Sequence, residues 1–293
     1  IRVLGEDHPD TLTARGNLAT WRGTAGDTAG AAQAYADLLE PMIRVLGEDH
    51  PHTLTTRNNL ASWRGRSGDA AGAAQAFANL LPDRIRVLGE DHPDTLITRN
   101  NLASWRGRSG DAAGAAQAFA NLLPDRIRVL GEDHPDTLIT RVNLATWRAE
   151  AGDAAGAAQA YADLLTDLIR VLGEDHPDTL AARNNLASWR GRSGDAAGAA
   201  QAFAGLLSDR VRVLGEDHPH TLTARSNLAS WRGEAGDAAG AAQAFTDLLS
   251  DRIRVLGEDH PDTLITRDNL AYWRERGEDG STDVCTGQGD QQP

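Results

Sequence analysis

The apolar positions of this chain fall at helical spacing, and the same pattern returns every 42 residues. Within residues 85–126, Leu96 and Ala103 lie seven apart and Leu102 and Trp105 three apart. That is the spacing of one helix face, not the alternation of a strand. Asp91-His92-Pro93-Asp94 precedes it. Pro93 suits the first helical position, where a missing N–H costs nothing, and Asp94 suits the positive end of the helix dipole. Gly107, Ser109 and Gly110 are expected to close this first helix, helix A. Asp111 then caps an alanine-rich second helix, helix B, and Gly131 after Leu130 reads as its stop.

Shifted by 42 residues, the sequence lands on itself without a gap. Ile1, Ile43, Ile85, Ile127, Ile169, Val211 and Ile253 open seven repeats, and Trp21, Trp63, Trp105, Trp147, Trp189, Trp231 and Trp273 mark one point in each. A fixed period of this size predicts an array of stacked helix pairs, because neither helix buries its apolar stripe alone. Gly114, Ala115 and Ala118 are small enough for backbones to approach, while Phe119 and Trp105 supply bulk. The seventh repeat is expected to stop after its helix A, Asp262 to about Arg276. Residues 1–277 then form one elongated domain, and the polar, Gly-rich stretch 278–293 is expected to be disordered. Pro41, Pro82 and Pro124 fall inside helix B of the first three repeats and are expected to bend or split it. The chain opens at Ile1, part-way through a helix B pattern and without Met, which reads as a fragment boundary.

The repeated residues resemble a known family. Leu102-Ala103 stands where the tetratricopeptide repeat has its Leu-Gly pair, Ala115 and Phe119 at its Ala-x3-Phe, and Gly110 at its inter-helix Gly. The linker around Asp91-His92-Pro93-Asp94 and the string Asn100-Asn101-Leu102-Ala103 resemble the longer, 42-residue repeats of kinesin light chains. Arg99 and Arg106 depart from the short form, which prefers Trp and Tyr there. The resemblance implies an all-α, right-handed superhelical solenoid of antiparallel helix pairs, with helix A lining a concave groove for an extended peptide.

On the wheel of helix A, Ile97, Asn100, Ser104, Gly107 and Arg108 lie opposite Leu102 and Trp105. These slots are where an otherwise uniform repeat varies. Thr13, Gly16 and Thr24 fill them in repeat 1, Ile139, Val142 and Glu150 in repeat 4, and Ile265, Asp268 and Tyr272 in repeat 7. Beside them an Asn recurs in every repeat: Asn17, Asn59, Asn101, Asn143, Asn185, Asn227 and Asn269. A primary amide offers donor and acceptor together, so it can hold a peptide backbone whatever its sequence. An Asn that satisfies a neighbouring helix would recur equally. Asn58, Asn100 and Asn184 stand next to three of these, and Arg66, Arg108 and Arg192 give the face cations suited to an acidic segment. The other recurring arginines, such as Arg99 and Arg106, border the core and are expected to pair with acids of the linker or with Asp111.

Composition narrows the function. There is no Lys, and the net charge of −13 leaves no basic face for nucleic acid. No apolar run is long enough for a membrane span, and no signal peptide is visible. The single Cys285 excludes a disulfide framework and fits a reducing, cytoplasmic setting; abundant Arg, Ala and Gly suggest a GC-rich, bacterial genome. His92 and its counterparts read as turn chemistry, and the pairs His50/His52 and His218/His220 lack the further ligands a zinc site needs. No metal, cofactor or catalytic constellation is expected, so the chain does not read as an enzyme. The expected function is a non-catalytic domain that binds a protein or peptide segment. The alternative is the sensor or oligomerisation scaffold arm of a larger bacterial NTPase-type regulator. A recently duplicated array without a ligand is a third reading, and end-to-end self-association is an expected liability.

Overall fold

The computed structural model describes residues 4–285, with side chains as far as Glu278. Among the described residues there are thirteen α-helices and no strand. They fall into two compact bodies, Ile1–Gly152 and Asp153–Pro293. The first holds α1 (Pro9–Thr24), α2 (Thr28–Leu46), α3 (Pro51–Arg66), α4 (Ala70–Leu88), α5 (Pro93–Arg108), α6 (Ala112–Leu130) and α7 (Pro135–Glu150). The second holds α8 (Ala154–Leu172), α9 (Pro177–Arg192), α10 (Ala196–Leu214), α11 (Pro219–Glu234), α12 (Ala238–Leu256) and α13 (Pro261–Cys285). Odd-numbered helices are the A helices and even-numbered ones the B helices; within each body every helix packs on the next in the chain.

Each helix starts and stops on side chains visible in the sequence. The His92 Nδ1 accepts from the Asp94 N–H at 3.1 Å, so the linker histidine is the cap of helix A and Pro93 its first residue. Asp111 Oδ1 accepts from the Gly114 N–H at 2.8 Å and caps helix B. Gly110, with φ 106°, turns the chain between them, a backbone conformation that costs other residues a Cβ clash. Asp111 also takes Arg106 at 2.5 Å. The Gly114 N–H and then the Arg106 guanidinium hold its carboxyl below the usual carboxylate range.

Arg99 does not reach the linker. It pairs with Asp125 of helix B at 2.7 Å, and the linker Asp91 is taken by Arg128 through two bonds of 2.6 Å. Arg212 and Arg254 repeat that arrangement with Asp175 and Asp217 in the second body.

Helix B is not split by its prolines. α2, α4 and α6 run unbroken through Pro41, Pro82 and Pro124, each 19 residues long like the proline-free α8, α10 and α12. Pro82 and the residue four before it, Ala78, are both exposed, so water can take the carbonyl that the missing N–H releases. The seventh A helix runs further than expected. The other A helices end just before a positive-φ glycine, Gly26 through Gly236, but Glu278 fills that place after α13 and the helix continues to Cys285. α13 thus reaches into the stretch 278–293, of which residues 286–293 lie outside the described residues.

The core is built once per repeat. In the first body Leu54, Ala61, Ala73, Phe77, Leu80 and Trp105 form one cluster, so a tryptophan from repeat 3 completes the core of repeat 2. Trp63 and Trp147 do the same one repeat on either side, and Trp231 and Trp273 in the second body. Each of these rings lies on a glycine of the preceding A helix. A Cβ on Gly65 would stand 2.5 Å from the Trp105 ring, and one on Gly107 2.6 Å from Trp147. Gly107 and its equivalents Gly23, Gly65, Gly191 and Gly233 are therefore buried, as is Ala149 in the same slot, and none belongs to the outward face expected for them. Position on the wheel is the same; the incoming ring of the next repeat covers it.

Candidate functional site

The outward face of the A helices is the surface where the repeats differ. In the first body Ile97 and Ile139 are exposed there, and in the second Ile265 and Tyr272. Thr55 and Thr223 fill the isoleucine slot in α3 and α11, and each turns its hydroxyl back onto the helix, to the Pro51 and Pro219 carbonyls at 2.9 Å.

The recurrent asparagines form a ladder between repeats. Asn101 Nδ2 donates to Asn58 Oδ1 at 3.4 Å, Asn143 to Asn100 at 3.5 Å and, in the second body, Asn227 to Asn184 at 3.4 Å. In repeats 1 and 4, which have no such amide, a tyrosine replaces it; repeat 6 has neither, with Ser226 and Phe245 in the two places. Gly16 occupies the slot in repeat 1, and the Asn59 amide donates instead to Tyr35 Oη at 3.2 Å; Asn185 likewise donates to Tyr161 Oη at 3.2 Å. The Tyr35 hydroxyl donates in turn to the Gly16 carbonyl at 2.9 Å. Repeats 2, 3 and 5 carry Asn on helix A and Phe77, Phe119 or Phe203 on helix B, whereas repeats 1 and 4 pair Gly16 or Val142 with Tyr35 or Tyr161. Five of the seven recurrent asparagines thus spend a donor on the repeat before them. Asn17 is exposed at the start of the series, and Asn269 is half-buried at its end.

This coupling is testable. Asn58→Ala is expected to destabilise by about 1 kcal/mol, because the Asn101 amide loses its acceptor. Adding Phe77→Tyr should recover most of the loss, and Ala fits there: a Cβ at Gly16 would lie 3.9 Å from the Tyr35 ring. Urea midpoints of the two single variants and the double variant decide it; simple additivity would show that the two slots are not coupled.

The guanidinium carbons of Arg66 and Arg108 lie over the tryptophans three residues before them, 4.8 Å from the centre of the Trp63 ring and 4.9 Å from that of Trp105; Arg192 lies 4.6 Å from Trp189 in the second body. All three are exposed, and none has a carboxylate within 4.0 Å among the described residues. A guanidinium held over an indole face keeps its outer donors free for a ligand. Beyond them the first body has a cleft of about 250 Å³ where Gly16 leaves room, bordered by Asn17, Tyr35, Met42, His52 and Asn59.

Larger clefts open on the opposite side, between successive B helices. One of about 510 Å³ is floored by Leu102 and Ala103 and walled by Ala74, Ala78 and Ala118 in the first body. Its counterpart in the second body, about 490 Å³, has Leu186, Ala158, Ala162 and Ala202 in the same places. Arg99 and Arg106, on the rim of the first, are already paired with Asp125 and Asp111.

One feature of the A–B junction escaped the sequence reading. Arg84 and Arg126, near the ends of their B helices, are only 3% exposed, and each pairs at 2.6 Å with the Asp in the first turn of the next helix A, Asp94 and Asp136. The signal was in the spacing. Ala115, Phe119, Leu122 and Arg126 follow one apolar stripe, and Met42 and Leu168 hold the arginine's slot in repeats 1 and 4. Among the described residues no group of three or more His, Cys, Asp or Glu is gathered as a metal site would require. No helix among them is long and apolar enough to cross a membrane.

Comparison with known proteins agrees with this architecture. No curated protein matches the chain. Among solved structures, a Podosopora anserina protein with nearly identical TPR-like repeats superposes with a TM-score of 0.62. It is 19% identical, over 71% of this chain and 98% of that one. BtubC (BKLC) of P. vanneervenii superposes at 0.65 and 21% identity, over 80% and 94%. The apo quorum sensor NprR of B. thuringiensis superposes at 0.63 and 11% identity, over 93% and 70%. The tetratricopeptide repeat model matches six consecutive blocks, residues 11–52, 53–94, 95–136, 137–178, 179–220 and 221–262. The chain belongs to the tetratricopeptide repeat family.

Proposed function

We propose that this chain is a non-catalytic module that binds an extended, acidic protein segment along the outward face of its A helices. The observation that carries the reading is the pair Arg66 and Arg108. They stand one repeat apart on the same helix face, stacked on Trp63 and Trp105, with no carboxylate of their own. Selectivity needs positions that differ, and the A face supplies them in Thr55, Ile97 and Ile139. The larger clefts between B helices are lined by the same alanines in repeat after repeat, and their arginines are already paired. Stacked helices hold the face ready-made, which lowers the ordering cost of binding. In this reading Asn58 and Asn100 keep an amide oxygen shared between the neighbouring repeat and the segment, while the recurrent Asn59, Asn101 and Asn143 chiefly fix the spacing of the rungs.

A random-peptide library panned against the whole chain tests this. Enriched peptides should carry Asp or Glu, and Arg66→Glu/Arg108→Glu should weaken them about 100-fold, the order expected for two charge-assisted contacts. Unchanged binding by that folded variant would sink the proposal. Loss on Ala78→Glu instead would move the site to the clefts between the B helices.

The scaffold reading has one observation in its favour. Leu18 and Trp21 are 69% and 71% exposed, although their counterparts pack between repeats elsewhere. Stacking one copy's α1 on another's α13 is opposed, however, by Glu275, which stands where Trp21 would need a glycine. End-to-end stacking is therefore left out of the proposed function.

A further inference from the structure

The buried arginine of helix B is answered by a carboxylate in repeats 2 and 3, but not in repeat 5. Arg210 is 5% exposed, like Arg84 and Arg126, yet the residue in the slot of Asp94 and Asp136 is His220. Arg210 donates to the His220 carbonyl at 2.8 Å and to Asn184 Oδ1 at 3.4 Å, both neutral acceptors. The other buried arginine of this body, Arg252, bonds to the Asp262 carbonyl and to Thr266, and the Asp262 charge still acts on it. Burial, and after it the neighbouring cation Arg183, lower the Arg210 guanidinium's proton affinity, with no carboxylate acting against them. A guanidinium stays charged even so, and a buried charge without a counter-ion is costly.

Beside Arg210 the second body has a cleft of about 270 Å³, bordered by Ala181, Leu214, His218 and His220. Ala181 opens it, since the same slot holds Thr or Ile in the other repeats. Asp175 also borders the cleft, but Arg212 holds both its carboxylate oxygens, at 2.5 and 2.8 Å. The His218 ring caps α11 through Nδ1, and the His220 ring stands 5.2 Å from it.

We propose that this cleft is a carboxylate-binding site, in which a ligand's carboxylate takes the place beside Arg210 that Asp94 and Asp136 take beside Arg84 and Arg126. A carboxylate is favoured because the identical junction, two and three repeats earlier, is built to hold one. The guanidinium and the His220 ring both line the cleft and supply its donors, and charge-assisted bonds of this kind are the strong ones. Both an acidic side chain and a peptide C-terminus carry the group. This site does not rest on the peptide face proposed above: a simple carboxylate can fill it whether or not a segment lies along the A helices.

Acetate titrated into the whole chain, followed by the ¹H–¹⁵N resonance of the Arg210 Nε, reads the site directly. Arg210→Leu assigns the resonance and should fold, since Leu168 fills the same slot in repeat 4. A saturable shift is expected in the natural chain and not in His220→Asp, which restores the internal counter-ion and should also raise the melting temperature. N-acetylglutamic acid amide and N-acetylglycine then distinguish a side-chain carboxylate from a chain terminus; the better-fitting source should bind about tenfold more tightly than acetate, ~1.4 kcal/mol. No saturable shift, or an equal shift in His220→Asp, would overturn the site.

Discussion

Trp105→Ala is expected to cost about 3–5 kcal/mol, while Trp21→Ala, the same substitution in repeat 1, should stay within about 0.5 kcal/mol. Trp105 is 8% exposed and completes the cluster of Leu54, Phe77 and Leu80, lying on Gly65. Nothing nearby can fill the space, because the ring rests on a residue with no side chain to rearrange. Arg108 would lose its platform as well. Trp21 leaves most of its ring in water. Stability in a stacked array is close to a sum of repeat and interface terms, so the loss should concentrate between repeats 2 and 3. Urea unfolding gives the magnitude, and amide hydrogen exchange shows whether α3 to α6 lose protection first. Equal costs at the two sites would mean that stacking on glycine is not what the tryptophan contributes.

Asp94→Ala should be the next most damaging change, about 2–3 kcal/mol, because it leaves Arg84 buried without its counter-ion. The cost should fall short of the 3–5 kcal/mol typical of a fully buried pair, since the Asp94 side chain is 41% exposed and water can replace part of it. Arg84→Leu should be near neutral or stabilising: Leu168 and Met42 already occupy that slot elsewhere, and an apolar group of similar size avoids the desolvation of a charge. Removing the anion should therefore hurt more than removing the cation. Denaturation midpoints for the two variants settle the order, and a larger loss for Arg84→Leu would show the pair to be net stabilising.

The sequence made the architecture readable because each boundary is set locally. His92, Pro93, Gly110 and Asp111 act within a few residues of themselves, so cap and turn chemistry located the helices. What failed to be read depends on neighbours from other helices. Gly107 shares a helix face with Asn100 and Ser104, and only the approach of Trp147 buries it. Arg126 drew no attention in the sequence, because its partner Asp136 stands on the next helix. The prolines misled in the other direction: the rule that proline breaks helices weighs a lost hydrogen bond, and here that loss falls on the exposed side. The Asn series was found at once, but its partners could not be, because Tyr35 and Asn58 offer the same acceptor from different helices.

That interchangeability bears on how such a chain can change length. In repeats 2 to 6 the recurrent Asn takes one acceptor from the repeat before it, and Gly16 with Tyr35 or Asn58 with Phe77 supplies it. Each of these two kinds of repeat carries its acceptor within its own 42 residues. Unequal recombination that deletes or duplicates one repeat between these two kinds therefore joins ends that still match, with no half-buried amide stranded at the seam. Gene-level slippage, usually a source of broken proteins, becomes for this ladder a neutral way of adding or removing rungs.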